Sequence, residues 1–198
     1  MCSPFRAKVR DDHILIPQSA ETKIRDCIVN YYHEKFLNNP QALKYQTQTR
    51  CHNIETLKYL KIGFTDGCMH QYLTAKGYSL DEQLNTGLVV KKDGKIRDYF
   101  HKGLYIYPHK TLDGDYGHFT IKDSNKKYSY QLPNEYKNDG CVFYNMPVLK
   151  KSDEIFIVEG ENDVTSLIEA GQKKGDCYQW ANIQKTNRLL AQLDKKGQ

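Results

Sequence analysis

The side chains best placed to do chemistry stand close to the carboxyl terminus, in the stretch Ile155-Phe-Ile-Val-Glu-Gly-Glu-Asn-Asp-Val-Thr-Ser-Leu-Ile-Glu-Ala-Gly171. Four consecutive apolar residues, Ile155 to Val158, read as a short strand buried on both faces, as in a parallel sheet covered by helices. Glu159 and Gly160 end it. Beyond them Val164, Leu167, Ile168 and Gly171 recur at i, i+3, i+4 and i+7, the apolar stripe of an amphipathic helix. Glu159 is therefore expected at the carboxyl end of a buried strand and Asp163 in the first helical turn, where the helix dipole favours an anion. Open α/β sheets bind ligands in the crevice beyond such strand ends. Two carboxylates there suit Mg²⁺, a hard cation that often takes one or two carboxylates and completes its shell with substrate phosphates. The same two side chains equally suit a solvated turn and a helix cap.

Bulk properties bound what such a turn could serve. With 198 residues, 39% of them hydrophobic, the chain can bury a core of one domain or one and a fraction. No apolar run approaches a membrane span, and the start, Met-Cys-Ser-Pro-Phe-Arg, lacks the hydrophobic region of a signal peptide, so the expectation is a cytoplasmic protein without membrane contact. The six cysteines are scattered with no Cys-x-x-Cys, which indicates neither a disulfide framework nor a zinc ribbon. Cys51-His52 and Cys68-x-His70 fit no usual ligand spacing, and no zinc is expected. The net charge of +5 is unevenly spread. Residues 1–152 carry 23 basic against 16 acidic side chains, or +7, and residues 153–198 carry 6 against 8, or −2. A basic body with an acidic turn suits phosphate chemistry on nucleic acid, and 15 tyrosines offer surfaces for stacked bases.

The elements that must position the turn follow from period and punctuation. Residues 1–18 show no sustained period and read as an irregular leader. Pro17 and Ser19 set a helix start, Ile24, Cys27, Ile28 and Tyr31 form its inward stripe, and Asn38-Asn39-Pro40 breaks it. Asn39 can cap a second helix with Pro40 at its first position. A third is expected from Asn53 to Gly63, a fourth over Met69, Tyr72 and Leu73 closed by Gly77, and a fifth from the capping box Ser79-Leu-Asp-Glu82. From Leu88 the period changes to two. Leu88 to Lys91 and Ile96 to Phe100 flank Asp93-Gly94, a strong hairpin signal. Gly103 to Tyr107 is a strand with Leu104 and Ile106 on one face and Tyr105 and Tyr107 on the other, ended by Pro108. Asp113-Gly114 turns into a strand from Tyr116 to Lys122. The middle is thus expected to be one curled antiparallel sheet whose polar face carries Lys91, Lys92, Lys95, Arg97, Lys102, Lys110, Lys122, Lys126 and Lys127. A second strand of the carboxy-terminal unit is expected from Cys177 to Ala181, then a helix with Ile183, Leu190 and Leu193 inward. The fold class is α+β: short helices and a curled antiparallel sheet over residues 19–152, then the first β-α-β-α part of an α/β domain over 153–198.

Val158-Glu-Gly-Glu-Asn-Asp163 resembles the Val-Glu-Gly-x-x-Asp motif of the toprim domain of topoisomerases and bacterial-type primases. Residues 20–193 as a whole resemble the RNA-polymerase core of a bacterial-type primase, in that family's order of elements. Tyr45, Arg50 and Ile62-Gly63-Phe64 resemble its Tyr-Leu, Arg-Gly and Ile-Gly-Phe segment. Gly87-Leu88, the Asp-Gly hairpin, Tyr107-Pro108 and Asp113-Gly114 resemble the strands around its Phe-Pro motif. Lys127-Tyr128 resembles its Lys-Tyr-x-Asn, and Val142-Phe-Tyr144 its Leu-Tyr-Gly. The sequence also departs from the pattern. His101-Lys102-Gly103-Leu104 replaces Phe-Arg-x-Arg, His118-Phe-Thr-Ile-Lys122 replaces Gly-Phe-Gly-Gly-Arg, Tyr130 replaces the Asn of Lys-Tyr-x-Asn, and neither the amino-terminal zinc module nor the downstream Asp-x-Asp is in these 198 residues. Lysine neutralises phosphate without arginine's bidentate grip, so looser contacts to template and nucleotide are expected.

The resemblance implies a DNA primase of a divergent plasmid or phage type, acting in the primosome: DNA-templated synthesis of RNA primers with Mg²⁺ or Mn²⁺. Single-stranded template and nucleoside triphosphates are the implied partners, with a replicative helicase as a further one. Glu159 is then the metal ligand and, with Asp163, the catalytic pair, while Arg50, Arg97, Lys102, Lys122 and Lys127 hold nucleic acid and nucleotide. Two carboxylates from one turn supply few metal ligands, so these 198 residues alone are expected to bind DNA without making primers. A non-catalytic single-strand-binding module that kept the basic sheet and lost the metal site is the alternative, and another toprim enzyme, a nuclease or topoisomerase, fits less because such enzymes lack the basic sheet domain in front.

Overall fold

A computed structural model describes residues 19–126, 129–137, 143–150, 154–171 and 175–179. Helix α1, Ala20–Leu37, begins where Ser19 accepts a hydrogen bond from the Thr22 amide and stops at Asn38. Its inward face buries Ile24, Ile28, Val29, Tyr31, Tyr32 and Phe36. Asn39 caps α2, Pro40–Lys44, through the amides of Gln41 and Ala42, with proline in the first turn as expected. The helix then widens into a π turn over Tyr45–Thr49, which periodicity does not announce; such turns are short and recur at functional sites. Helix α3, Ile54–Tyr59, is capped by Asn53. It ends short of the expected Gly63, because Lys61 takes φ +54 and Gly63–Phe64 is instead strand β1. A Cβ at Gly63 would lie 2.7 Å from the Cβ of Tyr32. Glycine here serves close contact between β1 and α1, and no helix end. Helices α4, Met69–Ala75, and α5, Leu80–Asn85, agree with their sequence signals, α5 with the Ser79/Glu82 capping box complete.

Strands β2, Val89–Lys92, and β3, Lys95–Asp98, pair across Asp93-Gly94, both residues at positive φ. Strands β4, Tyr105–Lys110, β5, Tyr116–Lys122, and β6, Ser129–Gln131, follow, and β1, β4, β5 and β6 form one antiparallel sheet in that order. Two expectations fail here. Pro108 does not end its strand; it lies inside β4 opposite Phe119. Only Tyr105 and Ile106 pair with β1, so the proline stands past the end of that neighbour, where a missing N–H removes no ladder bond on that side. Nor does the antiparallel sheet, present as expected, have a basic outer face. The β2–β3 hairpin is a separate two-stranded sheet, and β4 and β5 are buried along nearly their whole length.

The sheet is buried because it is covered twice. Leu104, Ile106, Phe119 and Ile121 join a core with Ile24, Ile28, Met69 and Leu73, while Tyr105 and Tyr107 join a second with Phe36, Leu57, Tyr144 and Val164. The alternation along β4 is the predicted one, with both faces inward. Strand parity and register then place three cross-strand pairs, Tyr105/Lys122, Tyr107/Thr120 and His109/His118, on the second face. Against that face lies the carboxy-terminal unit: β7, Glu154–Val158, helix α6, Glu161–Glu169, and β8, Gly175–Gln179, which runs parallel to β7. The second strand thus starts two residues before the expected Cys177, and the expected helix around Leu190 lies outside the described residues.

Candidate functional site

At the carboxyl end of β7, between α6 and the face of the antiparallel sheet, opens a cleft of ≈ 650 Å³. Tyr45, Arg50, Tyr105 and Tyr107 form one wall, Lys122 to Lys126 a second, and Glu159, Gly160, Asn162 and Asp163 a third. Glu159 and Asp163 are both exposed. Gly160 is the N-cap of α6, and the amides of Asp163 and Val164 bond back to its carbonyl. A Cβ at position 160 would stand 3.3 Å from Asp163 Oδ2 and 3.6 Å from Lys122 Nζ. Glycine therefore lets a carboxylate and an ammonium approach the same few ångströms of backbone.

The opposite wall is aromatic and basic. The Tyr45 ring stacks on Tyr105 with centroids 5.2 Å apart. The Arg50 guanidinium lies 5.7 Å from the Tyr45 centroid, and its Nε donates to the Tyr45 hydroxyl at 3.2 Å. The π turn puts Arg50 five residues after Tyr45 and still within reach of it, since that geometry spans one more residue per bond than an α turn.

Beneath the cleft is a side chain that sequence reasoning passed over. Glu161 is fully buried. Its Oε2 lies 2.7 Å from Lys122 Nζ and its Oε1 3.6 Å from His109 Nε2, while that ring nitrogen bonds Thr120 Oγ1 at 2.8 Å. Burial pushes the Glu161 carboxyl upward, but His109 and the Lys122 ammonium outweigh it and hold the pKa at about 2. Neighbouring His118, buried beside His109, is driven down to about 2, first by burial and then by the His109 ring and Lys137. Its position also offered a sign: Glu161 precedes Val164 by three and Thr165 by four, so it falls on the inward face of α6. Asn162 accepts from the Tyr107 hydroxyl at 2.8 Å, and that hydroxyl accepts from Gln46 Nε2 at 3.2 Å. Glu169, at the far end of α6, accepts from the Asn53 amide at 2.7 Å and sits 3.4 Å from His52 Nδ1.

Of the residues expected to act together, the structure gathers Glu159, Asp163, Arg50 and Lys122 around one cleft. Arg97 and Lys102 do not line it. Arg97 is on the separate hairpin, bonded to the Lys92 carbonyl and near Asp93, and Lys102 is exposed in the connection to β4. Lys127 lies outside the described residues. Among the described residues no group of three or more His, Cys, Asp or Glu converges as a metal cage, so a cation at Glu159 and Asp163 would rely on ligands supplied by a bound phosphate. That donor set, oxygen only and accessible, fits Mg²⁺ or Mn²⁺. Among the described residues, no helix is long and apolar enough to cross a membrane.

No protein-family model matches the chain. It is 23% identical over 171 residues to a DNA primase of Helicobacter pylori strain J99, covering 82% of this chain and 30% of that protein. It is 27% identical over 149 residues to a DNA primase of Clostridium acetobutylicum, covering 71% of this chain and 25% of the other. The chain therefore spans less than a third of the curated relatives it matches. The RNA polymerase domain of Mycobacterium tuberculosis primase superposes with a TM-score of 0.73 at 15% identity, covering 87% of this chain and 60% of that one. A DnaG primase catalytic domain bound to single-stranded DNA superposes with a TM-score of 0.64 at 17% identity, covering 79% and 52%. By sequence and by fold alike, the chain is similar to the RNA-polymerase core of bacterial-type DNA primases.

Proposed function

We propose that the chain carries the template- and nucleotide-binding part of a primase and works in priming DNA replication. Residues 19–152 form the basic subdomain and residues 153–198 contribute toprim elements to the reaction centre. The observation that supports this most directly is the single cleft that sets Glu159 and Asp163 across from Arg50 and beside Lys122. A nucleoside triphosphate needs cations for its phosphates and oxygen ligands for its metal, and both are here within one wall-to-wall span. Glu159 and Asp163 hold Mg²⁺ or Mn²⁺, which when bound would neutralise the charge that develops on the phosphates during nucleotidyl transfer. Arg50, fixed against Tyr45, meets the phosphates as a planar donor, and Lys122 meets them as a point charge. Single-stranded DNA is the template, as the bound DNA of the solved DnaG catalytic domain suggests for a chain of this fold.

Binding separates this proposal from that of a non-catalytic DNA-binding module. The chain should bind a fluorescent ribonucleoside triphosphate more tightly with Mg²⁺ than without. Glu159→Gln should abolish the Mg²⁺ dependence, and Arg50→Ala should weaken binding with or without it. Binding of single-stranded DNA together with a triphosphate affinity indifferent to both Mg²⁺ and Glu159→Gln would leave only the non-catalytic module.

A further inference from the structure

We infer that Glu161 is a positioning residue, whose buried carboxylate sets the Lys122 ammonium at the floor of the cleft as a fixed contact for the phosphates of a bound nucleotide. The inference rests on the proposal that the cleft takes a nucleoside triphosphate, and it adds a side chain that touches no substrate.

Lysine is a poor phosphate contact unless something fixes it, because four rotatable bonds spread its charge over many places. At the end of β5, Lys122 has two such fixings. Its Nζ lies over the Tyr107 ring, 5.1 Å from the centroid, and meets Glu161 Oε2 at 2.7 Å. The carboxylate cannot swing away to water. Its side chain is fully buried, with His109 on the other oxygen and Thr120 fixing His109 in turn. Glu161 opens α6 and Lys122 closes β5, so the ion pair joins the two units at the point where the cleft lies between them. The ammonium itself stays partly exposed, at 25% for the side chain, and lines the cleft beside Gly160. At 2.7 Å the carboxylate oxygen takes one of the ammonium's three donors, which leaves two for a ligand. Protein kinases use the same chemistry, a glutamate on a helix holding a strand lysine against nucleotide phosphates.

Two other roles for Glu161 make opposite predictions. Were it only a neutraliser of Lys122, removing its charge would strengthen phosphate binding. Were it only a structural link, its removal would lower stability and leave the affinity of the folded protein unchanged.

The test is binding of inorganic triphosphate, as its magnesium complex, to the full chain at low ionic strength by calorimetry. Positioning predicts about tenfold weaker binding for Glu161→Gln, which is about 1.4 kcal/mol, and a smaller loss, about threefold, for Glu161→Asp, which keeps the charge but shortens its reach. It also predicts non-additivity: Lys122→Gln/Glu161→Gln should bind no more weakly than Lys122→Gln. Should Glu161→Gln fail to fold, Glu161→Asp, which strands no charge, decides by itself. Unchanged or tighter binding by the folded Glu161 variants overturns the role while leaving the cleft a nucleotide site. A wild-type chain that binds single-stranded DNA but no triphosphate overturns the nucleotide site, and the positioning role falls with it.

Discussion

Glu159, Glu161 and Asp163 are three acidic side chains in five residues, and their fates differ because of the faces they occupy. Glu159 and Asp163 are exposed over the cleft, whereas Glu161 is buried against Lys122 and His109. Their stability effects should differ accordingly. Glu159→Gln removes a charge that packs against little, so it should change unfolding free energy by less than about 1 kcal/mol. It should also abolish the paramagnetic broadening that Mn²⁺ causes in nearby amides. A folded variant that still shows the broadening would move the metal elsewhere. His118 gives a pH effect of definite sign. Its folded pKa lies near 2, below the ordinary 6.5, so the neutral form stabilises the fold. That contribution is complete above pH 6.5 and is lost as pH falls towards 2, with a slope of up to about 1.4 kcal/mol per unit for one proton. Chemical denaturation of wild type between pH 7 and 5 should show this slope, and His118→Gln should remove about one proton's share of it. Parallel pH profiles for the two would mean that His118 is protonated in the fold.

At the scale of elements, α6 is the keystone, and its sequence showed one part of its role more clearly than another. The run Ile155 to Val158, Gly160 and the stripe from Val164 set out a strand, a turn and a helix in order, because burial on both faces and a period of 3.6 are local properties. What α6 docks against was not legible, since that depends on register between strands far apart in sequence. The same limit explains the fate of Lys122. Alternation along β5 put it opposite Ile121, but only pairing with β4 shows that its face meets α6 and not water. The π turn at Tyr45–Thr49 leaves no trace in hydrophobic period, and Pro108 misled because proline is tolerated where a strand outruns its neighbour. Docking of α6 uses the fully buried Val164, with Leu167 and Ile168 packed against the same core, and polar anchors at Asn162 and Glu169. Val164→Ala should cost about 2 kcal/mol through lost burial and the cavity left behind. Asn162→Ala should cost about 1 kcal/mol, because the Tyr107 hydroxyl loses its acceptor. Denaturant midpoints measure both. A Val164→Ala midpoint equal to wild type would mean that α6 is held by its partly buried apolar side chains and polar ends, without Val164.

Over the whole molecule two groups of basic side chains stand apart, one in the cleft and one on the β2–β3 hairpin, and this division yields the last prediction. Arg50 and Lys122 are in the cleft, tied to Tyr45 and Glu161. Lys91, Lys92, Lys95 and Arg97 are exposed on the β2–β3 hairpin, which packs on α4 and α5 and does not line the cleft. Exposed lysines bind a polyanion chiefly by releasing its counterions, and for single strands log K falls with log salt at about −0.7 per phosphate neutralised. Replacing Lys91, Lys92 and Lys95 with alanine should therefore flatten the salt dependence of single-stranded DNA binding by about two units, for every base sequence alike. It should leave the affinity for magnesium triphosphate unchanged, because none of the three reaches the cleft. Arg50→Ala should do the converse, weakening triphosphate by about tenfold and changing the DNA slope by less than one unit. If the hairpin variant keeps the wild-type slope, the strand does not follow that hairpin and the DNA contacts must be sought on the cleft walls.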